Sequence, residues 1–247
     1  MFFDNKRLTH QKFYDIITIY LCFEGVIMKA HLKVLIFDLD GTLADTIPAI
    51  TEAVNLTLNE LGFPPRTEIE IKNAIGSGPR HLISESIPQD AISDDPCIVD
   101  KALAIYDNMY SKTYLHTDRL YDGMEKAIVD LSKNYKISVL SNKQDQYVKA
   151  LVNQLLPEGI CLIARGTIDG VPAKPEPIAA LELAKELGVS PQECILIGDS
   201  DIDIRTAEKA GFDILCVSWG YRSKAHLYNQ GAMDIVDSPY DLFEYFN

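Results

Sequence analysis

Three apolar runs that each stop at a polar or acidic residue constrain this chain more than any other feature. Val34-Leu35-Ile36-Phe37 runs into Asp38-Leu39-Asp40-Gly41-Thr42, Ile137-Ser138-Val139-Leu140 into Ser141-Asn142-Lys143, and Cys194-Ile195-Leu196-Ile197 into Gly198-Asp199-Ser200-Asp201. Short continuous apolar runs mark strands covered on both faces, as in a parallel sheet flanked by helices. Helical patterns separate the runs at 123–134, 144–156, 177–187 and 203–210, the last closed by Gly211 as a C-terminal cap. Strand alternating with helix predicts an α/β protein with a doubly wound, Rossmann-like parallel sheet. In such sheets ligands bind at the carboxyl ends of the strands, which is where the polar residues fall.

From Thr46 to about Asp118 the strand signals stop and the pattern turns helical, punctuated by Pro64-Pro65, Gly76-Ser77-Gly78-Pro79 and Pro88. A stretch of this length forms a small domain of its own. The expected organisation is a core built from 28–45 and 118–247, a helical cap over 46–117 lying across the ligand edge, and an extension at 1–27. Hinges are expected near Asp45-Thr46 and Thr117-Asp118. Met28 directly precedes the first convincing strand, so the functional chain is expected to start there.

With 36 acidic against 23 basic residues, the formal net charge of -13 repels a nucleic-acid backbone. A phosphate-bearing partner must then be small or drawn in by a local cation, which a metal ion could supply. The apolar piece Ile16 to Phe23 is too short to span a bilayer and lacks the pattern of a signal peptide. Five cysteines, none in a C-x-x-C spacing, read as reduced core thiols of a cytoplasmic protein. The five histidines show no ligand spacing.

Asp38 and Asp40 flank Leu39 at a strand end, and two carboxylates this close repel unless a cation lies between them or one stays protonated. That suits a hard metal such as Mg²⁺, which takes a few carboxylate oxygens and completes its shell with water and phosphate. A solvated Asp-Gly turn explains one such group, and N-capping explains one acidic residue at 199–203. Neither explains two acidic clusters converging on one sheet edge. Ser141, with backbone N–H groups around it, and Lys174, set before Pro175, could hold phosphate oxygens.

The chain resembles the haloacid dehalogenase-like hydrolase superfamily from Lys33 to its end. Four short family motifs occur in order: Asp38 to Asp45, Leu140 to Lys143, Ala173-Lys174-Pro175-Glu176-Pro177, and Ile197 to Asp203. Asp40, the second aspartate of the first motif, marks the phosphatases and argues against dehalogenation. The helical insertion and Val217-Ser218-Trp219-Gly220-Tyr221 resemble the phosphoglycolate phosphatase branch. The resemblance implies Asp38 as nucleophile, Asp40 as acid and base, and Lys174 beside them as a catalytic cation. It implies a Mg²⁺ site made by Asp38, Asp40 through its backbone carbonyl, Asp199 and Asp203, and phosphate contacts from Thr42, Ser141 and Asn142.

Arg80, after the glycine turn at 76–78, is the cap residue expected to meet a substrate carboxylate or second phosphate. The expected partner is a small phosphorylated metabolite, phosphoglycolate first, bound by a monomer or homodimer with no nucleic acid or membrane. Pyrophosphate, nucleotides and sugar phosphates stay open. A non-catalytic binding module ranks behind, because the acidic, serine and lysine positions are all present.

Overall fold

The computed structural model describes residues 31–117 and 119–246. The expectations for 1–27, Met28 and Asp118 lie outside the described residues. Six parallel strands form the main sheet: β1 (Val34–Phe37), β4 (Lys136–Gln144), β5 (Cys161–Thr167), β6 (Cys194–Gly198), β7 (Asp213–Val217) and β8 (Ile235–Val236). Their order is β5-β4-β1-β6-β7-β8. The chain winds outward from β1 through β4 to β5, then returns beside β1 at β6 and winds the other way. The end of β1 is therefore the point where the winding reverses, the position at which such sheets open a crevice.

Alternation along β1 sorts its side chains onto two faces. Leu35 and Phe37 pack with Val139, Ile197, Met124 and Ile128. Val34 and Ile36 pack on the other face with Leu196, Leu183 and Ala207. The covering helices are α6 (Met124–Leu131), α7 (Asp145–Leu155), α8 (Ile178–Glu186), α9 (Asp201–Ala210) and α11 (Asp241–Phe246), with α10 (Lys224–Asn229) nearer β8. Each fully buried Leu, Ile or Phe in these layers contributes about 1.5–3 kcal/mol relative to exposure.

Two short strands, β2 (Ala44–Asp45) and β3 (Arg119–Leu120), pair antiparallel and bring together both ends of the intervening helical segment. Arg119 adds an ion pair to Asp45 at 3.2 Å. Between them lie α1 (Ile47–Glu60), α2 (Glu68–Ala74), α3 (Pro79–Ser86), α4 (Gln89–Asp94) and α5 (Ile98–Thr117). α1 buries Ile47, Ile50, Val54 and Leu58, one stripe at helical spacing. α2 starts at a reciprocal capping box between Thr67 and Glu70. These helices share a core of their own around Val54, Ile71, Ile83 and Tyr110, which Tyr147 of α7 joins from the sheet side.

β5 escaped the sequence pattern because it is an edge strand, carrying Arg165 and Thr167 among half-buried apolar residues. β4 runs past Leu140 to Gln144, so Ser141, Asn142 and Lys143 sit on an extended strand rather than in a loop. Among the cysteines, Cys194 and Cys216 are buried, while Cys161 is half-buried and Cys97 is exposed; Cys97 thus departs from the core-thiol expectation. It precedes α5 where the chain turns at the surface.

Candidate active site

The carboxyl end of β1 turns through Asp38 to Thr42, and the ends of β4 and β6 flank it. Asp38 accepts from its neighbour's backbone, Leu39 N to Oδ1 at 2.7 Å, and from Lys174 Nζ to the same oxygen at 3.0 Å. Oδ2 has no protein hydrogen-bond partner among the described residues. Burial raises the Asp38 carboxyl to about 8, outweighing the lowering effect of Lys174.

Lys174 itself is almost fully buried and also reaches Asp203 Oδ1 at 2.7 Å. Asp203 Oδ2 accepts from the Ser200 hydroxyl at 2.6 Å and from Ser200 N at 3.2 Å. Ser200 caps α9 in return, so one sequence of four residues both starts the helix and fixes Asp203. Gly198 is required here, since a Cβ in its place would overlap the Asp203 carboxyl.

Asp199 accepts from Tyr221 N at 2.6 Å and from the Thr42 hydroxyl at 3.3 Å. Burial and then the charge of Asp203 push its carboxyl up to about 7. Asp38, Asp199 and Asp203 each offer an oxygen within 4.8 Å of the others, and all three are buried. Lys174 is the cation in contact with this cluster, so the negative charge exceeds what the protein neutralises. Oxygen donors, excess negative charge and raised carboxyls fit a divalent hard cation. The Asp40 carboxylate stands outside that group.

Asp40 Oδ1 accepts from the Thr46 hydroxyl at 2.5 Å and is paired with Lys143 Nζ at 2.7 Å. Thr46 is in turn within 3.0 Å of the Tyr221 hydroxyl. Lys143 is buried by packing 4.7 Å from the centre of the Tyr110 ring, a cation over an aromatic face. Lys143 and Tyr221 belong to motifs the sequence displays, yet nothing local marks them as partners of Asp40 and Asp199. Their roles depend on α5 and the loop after β7 arriving at the same place.

A cavity partly open to solvent lies between this cluster and the helices of 47–117. Asp38, Asp40, Asp199, Ser141, Asn142 and Lys143 line its sheet side. Ser141 Oγ accepts from Lys143 N at 3.2 Å, which leaves its proton available to a ligand.

Three expected ligand contacts are arranged differently. Thr42 is wholly buried and turns its hydroxyl onto Asp199. Asn142 donates to the carbonyls of Gly76 and Lys174 and accepts from Lys174 N, each at 2.8 Å, so its amide is used up within the protein. Arg80 is the clear correction: it is exposed, pairs with Asp100 of α5 and does not line the cavity. A neighbouring acidic residue on the outer face of the helices drew it away. Arg222 reaches the cavity instead, with Nη1 on Lys72 O at 2.5 Å and Nη2 on Ile75 O at 2.8 Å. Trp219 packs near Tyr121 and donates to Thr42 O at 3.0 Å.

Comparison with known proteins matches this architecture. The family of haloacid dehalogenase-like hydrolases matches residues 35–217. The phosphoglycolate phosphatase of Nitrosococcus oceani is 28% identical over 211 residues, covering 83% of this chain and 92% of the relative. A crystal structure from Lactobacillus delbrueckii subsp. bulgaricus, provisionally named a phosphoglycolate phosphatase, is 31% identical with a TM-score of 0.78, covering 87% of this chain and 98% of that one. A haloacid dehalogenase-like hydrolase of Streptococcus pneumoniae superposes with a TM-score of 0.79 at 22% identity, covering 88% and 100% of the two chains.

A buried carboxylate cluster with a lysine at the reversal point of a parallel sheet, in this company, defines a hydrolase of the phosphatase class. The chain belongs to the haloacid dehalogenase-like hydrolase family. Among its described residues no helix is long and apolar enough to cross a membrane.

Proposed function

We propose that the protein is a Mg²⁺-dependent phosphomonoester hydrolase that works through an aspartyl-phosphate, with the helices of 46–117 acting as a cap over the site. The supporting observation is the Asp38 carboxylate, clamped at one oxygen by Lys174 and Leu39 N, facing the cavity beside Asp40. In the first step Asp38 Oδ2 attacks phosphorus, the bond to the leaving oxygen breaks, and Asp40 passes its proton to that oxygen. In the second step water attacks phosphorus, Asp40 takes the proton back, and the Asp38–phosphorus bond breaks to release inorganic phosphate. Thr46 and Lys143 hold the Asp40 carboxyl in place through both steps. Lys174 and Ser141 offer positive charge and a hydroxyl to the phosphoryl oxygens as their charge redistributes.

Asp38, Asp199 and the Asp40 carbonyl would hold Mg²⁺, and Asp203 would act through Lys174. The ion supplies charge that offsets the repulsion between the anionic nucleophile and the anionic phosphate. Phosphoglycolate, after which the relatives are named, is the first compound to assay, followed by pyrophosphate, nucleotides and sugar phosphates. Phosphate release that requires Mg²⁺ and falls by roughly a thousandfold or more in Asp38→Asn is the expected result. Undiminished turnover by Asp38→Asn refutes the covalent mechanism.

A further inference from the structure

We propose that Arg222 is a positioning residue for the metal site: it ties Asp199 to the helices of 46–117, so that binding of the divalent ion and docking of those helices strengthen each other. The inference rests on the metal and cap reading above and adds a residue that links the two. Trp219 to Arg222 form the loop after β7, and each named contact of this loop falls on a different part of the site. Trp219 Nε1 donates to Thr42 O at 3.0 Å, in the turn that follows Asp38. Tyr221 N donates to Asp199 Oδ2 at 2.6 Å, and the Tyr221 hydroxyl lies 3.0 Å from that of Thr46, where the cap begins. Arg222 reaches the cap itself.

Asp199 depends on this loop. Besides Tyr221 N, the Thr42 hydroxyl donates to it, at a longer 3.3 Å. Its carboxylate lies in a slot between Gly41 and Gly220, where a Cβ at either position would come within 2.6 Å of Oδ2. The slot keeps its shape only while the loop is held against it.

Arg222 does the holding. Nη1 donates to Lys72 O at 2.5 Å, and Nη2 to Ile75 O at 2.8 Å and Asn73 O at 3.5 Å. These carbonyls end α2, where a helix leaves its acceptors without intrahelical partners and its dipole is negative. Undocking the cap would take all three from the guanidinium, free the loop and withdraw the Tyr221 N–H from Asp199. By linkage, an ion that favours the held Asp199 favours the docked cap by the same factor.

The sign separates positioning from charge alone. Arg222 carries the same sign as the metal, so Coulomb's law predicts tighter cation binding when it is removed. A positioning role predicts weaker binding.

Calorimetric titration of Mg²⁺ alone into the full chain measures the affinity. Trypsin reports docking, because cleavage after Lys72 breaks the peptide bond whose carbonyl Arg222 holds. Arg222→Ala is expected to raise the Mg²⁺ Kd about fivefold or more and to speed cleavage after Lys72, with circular dichroism showing the variant folded. In the unmodified protein, Mg²⁺ is expected to slow cleavage after Lys72 about fivefold more than cleavage after Lys133, which lies before β4 at the opposite end of the sheet. This second arm needs no variant. A Kd unchanged or tighter in folded Arg222→Ala, or equal protection at the two lysines, overturns the inference and leaves the metal-dependent phosphatase reading standing. No Mg²⁺ binding by the unmodified protein, together with no Mg²⁺-dependent phosphate release, overturns that reading and this inference with it.

Discussion

Replacing Lys174 with Met tests the electrostatic logic of the site at its centre. The side chain is buried, and its ammonium bonds Asp203 at 2.7 Å and Asp38 at 3.0 Å. Met fills a similar volume without charge, so the variant isolates the loss of the cation. Removing one partner of a buried ion pair costs about 3–5 kcal/mol, because the remaining charge is left unpaired. At roughly 2–4 °C per kcal/mol for a chain of this size, the melting temperature should fall by about 6–20 °C.

The pH dependence carries a sign. Burial already raises Asp38 to about 8 in the metal-free protein, against about 4 when unfolded. A carboxyl raised on folding stabilises the fold at low pH, and that stability is lost as pH rises from about 4 to about 8. Without Lys174 the carboxyl rises further, so the variant should keep losing stability above pH 8, where the Asp38 contribution in the unmodified protein levels off. Urea unfolding in EDTA between about pH 5 and 9.5 measures both effects. A variant within 1 kcal/mol of the unmodified protein, or one whose difference from it is constant above pH 8, would refute the reasoning.

Adding Mg²⁺ should raise the melting temperature, and by more as pH climbs through about 7 and 8, because Asp199 and Asp38 must lose their protons to bind it; calorimetry in buffers of different ionisation enthalpy should register proton release. Asp199→Asn should abolish that Mg²⁺-induced shift while the protein stays folded, as seen by circular dichroism. Gly220→Ala puts a Cβ into the Asp199 side chain and the Gly41 carbonyl; a loss of about 1–3 kcal/mol in urea unfolding together with weaker Mg²⁺ binding is expected. Arg222→Ala removes the bonds to the carbonyls of Lys72 and Ile75; about 1.5–3 kcal/mol per charged hydrogen bond should appear as faster proteolysis within 61–78.

The sequence by itself determined the alternation of strand and helix around three central strands, the parallel sheet and the convergence of Asp38, Ser141 and Asp199 on one edge. The physical reason is that hydrophobic periodicity and strand-end polarity are local, and a parallel sheet necessarily places successive strand ends together. A helix start within 199–203 was legible for the same reason, since it needs only its own next few residues, though the structure puts the cap at Ser200 and the first helical residue at Asp201. Side-chain direction and partner choice are not local. Arg80 looked cavity-bound until Asp100, one helix away, claimed it; Asn142 looked like a ligand group until Gly76 and Lys174 closed on both ends of its amide. Lys143 gained its role from Asp40 and from a ring on α5, and Tyr221 from Asp199 and Thr46. Those pairings join residues far apart in the chain, so only the tertiary structure, by bringing a separate helical core against the sheet edge, decided the shape and chemistry of the cavity.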